Sequence, residues 1–316
     1  MKILIIGVGS IGLRHIKNLI KLGYKNIAVA DTNKKSLQDV LKLVKVPAYE
    51  DVPEALRKER PNVVFICTPT NSHVSLIRIA LMNDADVFVE KPLAHNISSL
   101  DDLVTLAKKR KKVVMIACNY RFHKGFRRLA EVIRGKAFGK PLYYRLALGY
   151  YLPTARKNKN YKKIYAAYKT GGGVFLDSGS HVVDYLTALF GIMRITSALK
   201  DNTKSLGIKS EDIGYFLTKH QNGITGNIAL DYVSRRATHR LEVTTTNGLL
   251  TLDLKNDILL YDDGERQKKI YRGDDDINKM FLDELRHFFL CVKKRRRPLQ
   301  DLSGGGYVVK TILDAL

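Results

Sequence analysis

The sequence predicts two domains. A doubly wound α/β domain with a parallel sheet occupies residues 1–120, and an α+β domain with a largely antiparallel sheet occupies 121–316. Three observations predict this. Apolar strand-like runs alternate with amphipathic stretches through residue 118, the pattern of a parallel sheet covered on both faces. After Tyr120 that alternation stops, and short strand-like runs separated by turn dipeptides replace it. A chain of 316 residues also exceeds what one hydrophobic core usually serves.

Taken in order, strands are expected at 2–6, 26–30, 62–67, 86–89 and 113–117. Between them run the helical patterns Leu13–Leu22, Leu37–Val44, Pro53–Glu59, His73–Met82 and Ser98–Arg110. A helix over Gly125–Arg134 opens the second part. It is followed by Leu142–Tyr151, a polar tyrosine-rich loop over Leu152–Thr170, three glycines and a helix ending near Phe190. Strands then follow at Ile213–Lys219, Ile224–Asp231, His239–Thr245, Leu249–Leu254 and Ile258–Tyr261. Asn222-Gly223, Asn247-Gly248 and Asp263-Gly264 are hairpin-type turns, because both residue types accept the positive φ such turns demand. An amphipathic helix over Asn278–Val292 and a final short helix after Gly304-Gly305-Gly306 complete the chain.

Composition narrows the class. An apolar fraction of 45% supplies an ample core, and no run of about 18 apolar residues exists to cross a membrane. The chain begins directly with a core strand, so a cytoplasmic protein is expected. Cys67, Cys118 and Cys291 are isolated and form no C-x-x-C pair, which reads as reduced core thiols rather than a zinc set. The net charge is +23 and uneven: between Arg121 and Thr170 there are 14 Lys or Arg and one acid, Glu131. Such an excess attracts anionic ligands. No helix-turn-helix, zinc finger or RNA-binding motif accompanies it, so no specific nucleic acid partner is expected. Lys293–Arg297 reads as the cationic end of a helix.

The first strand runs straight into Gly7-Val8-Gly9-Ser10-Ile11-Gly12, and a helix follows. This is the order of a dinucleotide-binding turn. Gly7 permits the tight turn, Gly9 lets a pyrophosphate approach the backbone, and Gly12 lets helix and strand pack closely. The phosphates would meet the unpaired N–H groups of Ser10, Ile11 and their neighbours at the helix start. Asp31 ends the second strand 19 residues after Gly12, near the ~20-residue offset of the acid that holds a ribose hydroxyl. Its charge repels a 2′-phosphate, so NAD is expected rather than NADP.

Three later segments carry candidate chemistry. Thr68-Pro69-Thr70-Asn71-Ser72-His73 follows the third of these strands, so Thr68, Pro69, Asn71 and His73 fall where a cofactor would lie; the same residues also suit a helix cap. Glu90-Lys91-Pro92 follows the strand 86–89, where Lys91 could donate to a substrate hydroxyl or, if desolvated, act as a base. An ordinary surface lysine before a turn reads equally well on local grounds. Gly171-Gly172-Gly173 precedes Asp177 and His181, four apart and therefore on one face of a helix. That pair suits proton transfer at neutral pH, or a helix-start acid with a core histidine. A metal site would need third and fourth ligands at a recognisable spacing, and none is present.

These motifs, with Asn119-Tyr120-Arg121-Phe122, occur in one order over nearly the whole chain. Together they resemble the Gfo/Idh/MocA family of sugar and cyclitol oxidoreductases. The resemblance implies a Rossmann domain joined to a domain with an open, mainly antiparallel sheet, which in that family often forms a homo-oligomer interface, here of a dimer or tetramer. It implies that Lys91 binds the reacting hydroxyl, that His181 is an acid/base, that Asp177 orients substrate and side chains, and that Glu90 and Asn119 lie near the nicotinamide. Which of Lys91 and His181 takes the proton stays open.

The substrate question falls on 149–170, with Tyr120 and Arg121. Tyr151, Tyr161 and Tyr165 offer ring faces, and Arg156 offers a fork for carboxylate or phosphate. This stretch resembles a subgroup linked to surface sugars and nucleotide sugars, from which it departs at Ala155 and Lys157. The expected substrate is a sugar, sugar acid, nucleotide sugar or cyclitol. A glycosidase using NAD for transient oxidation, and a non-catalytic NAD-binding regulator, are the rival readings.

Overall fold

The computed structural model describes residues 1–155, 160–168, 173–274 and 276–315. The chain forms two compact units, Met1–Ala117 with Phe281–Tyr307, and Cys118–Met280 with Val308–Leu316.

The first unit begins β1 (Ile3–Ile6), α1 (Ser10–Lys21), β2 (Ile27–Ala30), α2 (Lys34–Leu41), β3 (Ala48–Tyr49) and α3 (Val52–Glu59). It continues with β4 (Val63–Ile66), α4 (His73–Met82), β5 (Asp86–Val89), α5 (Leu100–Lys109) and β6 (Val114–Ile116). The six strands form one parallel sheet in the order β3-β2-β1-β4-β5-β6. This is the doubly wound sheet the alternation predicts. Every residue of β1, β2, β4 and β5 is buried, as a sheet covered on both faces requires. The two-residue β3 is too short to leave a hydrophobic period, and the sequence does not announce it. Helix α2 starts earlier than its apolar pattern does, because the Asn33 side chain caps the Ser36 N–H.

In the second unit, α6 (Lys124–Gly135) leads into β7 (Pro141–Gly149) and the short α7 (Leu152–Ala155). The tyrosine-rich stretch expected to be a loop also holds 3-10 turns at Tyr161–Lys163 and Tyr165–Ala167. Next come α8 (Gly173–Asp177), α9 (Gly179–Phe190) and the strands β8 (Met193–Asp201), β9 (Ile213–His220), β10 (Thr225–Asp231), β11 (Thr238–Thr245), β12 (Gly248–Asp253), β13 (Ile258–Asp262) and β14 (Gln267–Arg272). They join β7 in an eight-stranded sheet ordered β14-β13-β12-β11-β7-β10-β9-β8. All its pairings are antiparallel except β7 with β10. The three hairpin dipeptides join β9 to β10, β11 to β12 and β13 to β14. One face carries the core, with Tyr144 stacked on Phe190 and Phe175 edge-on to Phe216. On the other, Leu199, Tyr215 and Leu217 are exposed.

Two helices close the chain, α10 (Asn278–Lys294) and α11 (Leu302–Leu313). The segment Phe281–Tyr307 packs in the first unit because it supplies the aromatic cover of its sheet. Phe288 meets Phe65 and Phe88 edge-on, Phe289 stacks on Tyr24, and the Ile116 N–H donates to the Gln300 carbonyl. Gly304, Gly305 and Gly306, expected to precede the last helix, lie inside α11. A Cβ at Gly305 would sit 2.8 Å from the Ile116 side chain, so the helix approaches β6 at a distance only glycine permits.

Candidate active site

The first unit's candidate residues form a row, and strand register creates it. Ile6 lies level with Ala30 and Ile66, Ile66 with Val89, and Val89 with Ile116. The next residues, Gly7, Asp31, Cys67 and Glu90, therefore leave the sheet together at its carboxyl edge, where doubly wound folds bind ligands. The ladder continues one step into them: Gly7 N–H donates to Ala30, Cys67 to Ile6, and Glu90 to Ile66.

The three glycines of the turn have three different reasons. Gly7 has φ +88°, and a Cβ there would lie 2.7–2.8 Å from the backbone of Cys67 and Thr68 on β4. A Cβ on Gly12 would lie 2.0 Å from the Gly7 carbonyl oxygen. Gly9 has an ordinary φ of −63°, and nothing stands within 4 Å of its absent Cβ. It faces open space at the start of α1, where no side chain caps the helix and its first turn holds no acid. Ser10 and Ile11 begin that turn. The first N–H groups, at the positive end of the dipole, are thus available to an external anion. Asp31 secures this loop. One carboxylate oxygen accepts from the Val8 N–H at 2.8 Å, the other from the Asn33 N–H at 2.8 Å, and each keeps a lone pair for a ribose hydroxyl. These residues fit a dinucleotide with a free 2′-hydroxyl.

Beyond β4, Ser72 Oγ donates its single proton to the Pro69 carbonyl. The 2.6 Å contact between Thr68 and Ser72 therefore has Thr68 as donor. Pro69 and Asn71 are exposed, Asn71 within a 3-10 turn over Thr70–Ser72. His73 is different: it is fully buried, with its ring nitrogens 3.0 Å from the carbonyls of Pro92 and Thr68. Burial pulls its pKa below the usual histidine value, against the two carbonyls that favour the cation. Both nitrogens face backbone carbonyls, to one of which the neutral ring donates at a time, so His73 ties the two loops rather than reaching a ligand itself.

Glu90 and Lys91 are half-buried, and the Lys91–Pro92 peptide is cis. Beneath them is a residue that the motif reading omits. His15 of α1 is completely buried among Phe65, Phe88 and Phe281, and its Nε2 lies 2.7 Å from Glu90 Oε1. Its spacing was the available signal, since His15 is three residues after Gly12 on the same helix face.

In the second unit, Asn119–Phe122 forms a 3-10 turn. Asn119 is buried, and its Oδ1 has no hydrogen-bond partner among the described residues. Arg121 grips the buried Asp184 of α9 through two short bonds, Nε at 2.8 Å and Nη2 at 2.7 Å. That fork ties the turn to α9 and occupies the guanidinium expected to meet substrate. Asp177 and His181 do not share one unbroken helix, because α8 ends at Asp177 and α9 starts at Gly179. Ser178 between them is nonetheless in the right-handed helical region, and the bonds Ser178 to Val174 and Val182 to Ser178 carry the helical path through.

The buried Tyr232 hydroxyl lies 3.1 Å from Asp177 Oδ2 and 3.0 Å from the Gly173 carbonyl, and its single proton is shared between these two acceptors. The Tyr120 ring is edge-on to His181 (5.0 Å between centroids) and to His239 (4.8 Å). Burial pushes the Tyr120 hydroxyl up to about 12 and His239 down to about 3, so at neutral pH one is a phenol and the other a neutral imidazole. The Tyr185 hydroxyl and His239 Nε2 share a hydrogen bond at 2.9 Å, its direction set by the imidazole tautomer. Asp184 lies on α9 with His181, whereas Tyr232, just after β10, and His239, on β11, come from a later part of the chain, where no local motif marks them.

The remaining substrate candidates are dispersed. Tyr151 carries the Arg235 guanidinium over its ring at 3.7 Å. The Tyr161 hydroxyl donates to the Leu206 carbonyl. Tyr165 is half-buried in its 3-10 turn. Arg156, Gly171 and Gly172 lie outside the described residues. Among the described residues, no group of three His, Cys, Asp or Glu side chains is arranged to hold a metal, and no helix is long and apolar enough to cross a membrane.

Residues 1–118 match the profile described as oxidoreductase family, NAD-binding Rossmann fold, and 126–251 match that family's own C-terminal domain. The chain belongs to the Gfo/Idh/MocA family of oxidoreductases. It is 26% identical to the myo-inositol 2-dehydrogenase of Thermotoga maritima, over 99% of this chain and 96% of that one. Among solved structures, an oxidoreductase from Agrobacterium radiobacter in complex with NAD+, L-tartaric acid and magnesium superposes with a TM-score of 0.87 at 18% identity. That match covers 100% of this chain and 95% of the other. A UDP-N-acetylglucosamine 3-dehydrogenase from Acidithiobacillus ferrooxidans superposes at 0.81 with 21% identity, covering 100% and 96%. These likenesses account for the fold, and membership accounts for the NAD-binding glycine turn.

Proposed function

We propose that this Gfo/Idh/MocA protein is an NAD-dependent dehydrogenase that oxidises a secondary alcohol of a sugar or cyclitol. The observation that carries the reading is the row of strand-end residues, with Gly9 opening onto an uncapped helix start at one place and Lys91 at another. When bound, NAD supplies the hydride acceptor. The chain's own residues supply the rest. Gly7, Gly9 and Gly12 shape the turn for the diphosphate, the N–H groups of Ser10 and Ile11 face it, and Asp31 holds a ribose. Thr68 and Asn71 flank the same edge, Glu90 is anchored by His15, and Asn119 offers an unsatisfied acceptor.

Lys91 donates to the oxygen of the reacting hydroxyl, which favours alkoxide character there. His181 is the acid/base, and Asp177, steadied by Tyr232, orients it and the substrate. The division of proton transfer between Lys91 and His181 is decided by the pH dependence of each single variant.

We further propose an anionic sugar, a sugar acid or nucleotide sugar, as the substrate. The 14 cations between Arg121 and Thr170 support it. The likeness to the Thermotoga myo-inositol dehydrogenase supports a neutral cyclitol as the second reading. The exposed Leu199, Tyr215 and Leu217 of the open sheet support a homo-oligomer built on that face.

NADH absorbance with a panel of cyclitols, sugar acids and nucleotide sugars, beside a glycoside-cleavage assay, tests the reaction class. Net NADH formation is the expected result. Glycoside cleavage without net NADH makes the protein a glycosidase, and neither activity makes it a regulator. Lys91→Ala should abolish turnover while NAD still binds; turnover at the wild-type rate in that variant defeats the assignment.

A further inference from the structure

Two cationic runs remain outside this account: Lys108-Lys109-Arg110-Lys111-Lys112 and Lys293-Lys294-Arg295-Arg296-Arg297. They are far apart in sequence, yet the first unit brings them to one cavity of about 770 Å³. Among the described residues, seven of the ten cations line it, and Asp301 is the one carboxylate that does. The floor is apolar, formed by Val104, Ala107, Val113, Val114, Pro298 and Leu302. The cavity lies at the amino ends of the strands, beside Asp86 that begins β5 and Val114 that begins β6. The glycine turn and Lys91 belong to the carboxyl ends, so this cavity is separate from the candidate active site.

The ordinary explanation of such runs is that they cap helix ends. Both helices do end here in the same way. Lys111 (φ +53°) and Arg295 (φ +49°) take the left-handed position that closes α5 and α10. The amides of Lys112 and Arg296 reach back to the carbonyls of Ala107 and Cys291. Two helix ends amount to about one negative charge together. Ion pairs remove more: Arg110 with Asp84, Arg295 with Asp86, and Arg297 with Asp301. Lys108, Lys111, Lys112 and Arg296 still have no ion-pair partner among the described residues, and capping needs far fewer cations than are present.

We propose that this cavity binds a nucleoside di- or triphosphate, separately from NAD. Its volume falls within the roughly 300–1,000 Å³ of small-molecule sites. Cations reach it from two walls, which a ligand with several phosphates can bridge and a single carboxylate cannot. The apolar floor between those walls suits a flat base.

The test is calorimetry of the full chain in excess NAD, titrated separately with ATP, with inorganic tripolyphosphate, and with single-stranded oligonucleotides of increasing length. ATP should bind saturably at one site per chain, and tripolyphosphate more weakly because nothing then covers the floor. In Lys108→Ala/Arg296→Ala, ATP affinity should fall at least about tenfold, with NAD affinity and melting temperature unchanged. ATP binding that is absent, or indifferent to this double substitution, overturns the proposal. Tripolyphosphate binding as tightly as ATP overturns the nucleoside assignment. Oligonucleotide affinity that exceeds that of ATP and rises with length overturns it in favour of a nucleic acid surface.

Discussion

Alanine placed in turn at Gly7, Gly9 and Gly12 should have three different outcomes, because the structure gives each glycine a different neighbour. At Gly7, alanine must hold φ +88° and pushes its methyl to 2.7 Å from the Cys67 backbone. The left-handed conformation costs about 1–2 kcal/mol and the overlap about 1–3 kcal/mol more. At roughly 2–4 °C per kcal/mol, the first unit should melt about 4–20 °C lower. Gly12→Ala should be at least as damaging, since its methyl would lie 2.0 Å from the Gly7 carbonyl and only backbone movement can relieve that.

Gly9→Ala should do the opposite to stability. Its φ of −63° suits alanine and its Cβ meets nothing within 4 Å. A less entropic unfolded chain should then stabilise the protein by about 0.4–1 kcal/mol. The same methyl occupies the space proposed for the diphosphate. A clash of about 1–3 kcal/mol there weakens NAD by about five- to 150-fold. Differential scanning calorimetry and NAD titration of the three variants read both effects. Wild-type NAD affinity in Gly9→Ala would refute the placement of the diphosphate, and wild-type melting in Gly12→Ala would refute the close approach of helix and strand.

Removing Arg121 strands the buried Asp184 carboxylate, so Arg121→Ala should lose about 3–5 kcal/mol in urea unfolding. Arg121→Met with Asp184→Leu should recover much of that. A variant that keeps its stability and changes only KM would restore Arg121 to substrate binding. His239 makes the stability depend on pH. Folded, it takes its proton only near pH 3, against 6.5 unfolded. Between these values the unfolded chain binds the additional proton, so the contribution is complete above pH 6.5 and is lost as pH falls toward 3. The slope is up to about 1.4 kcal/mol per pH unit, and His239→Gln should reduce it by one proton's worth in acid titrations of the unfolding free energy. An unchanged slope would mean that His239 is not held neutral.

Much of the first unit was readable because its information is local. Buried parallel strands are continuous apolar runs, and five of the six announced themselves. The glycine turn was readable because the chain conformation itself demands those residues. The second unit was readable as strands and hairpins, from alternation and Asn-Gly turns, but the parallel pairing of β7 with β10 leaves no mark in either strand. Arg121 and Tyr151 have the chemistry of ligand-binding residues, and sequence cannot show that Asp184 and Arg235 already occupy them. The same limit applies to His73, whose partners are backbone carbonyls on two loops.

The sequence by itself determined the layout: a dinucleotide turn at the first strand, Asp31 at the second, candidate acid/base residues later, and an uneven positive charge. Those are properties of neighbouring residues and of periods of two or about four along the chain. The tertiary structure decided what each residue has left to give. It set the strands level so that Gly7, Asp31, Cys67 and Glu90 form one edge, placed His15 under Glu90, and turned both nitrogens of His73 onto backbone carbonyls. It also joined two distant cationic runs around an apolar floor. Hydrogen-bond capacity and burial depend on partners from anywhere in the chain, so only the packed molecule shows which groups are already satisfied.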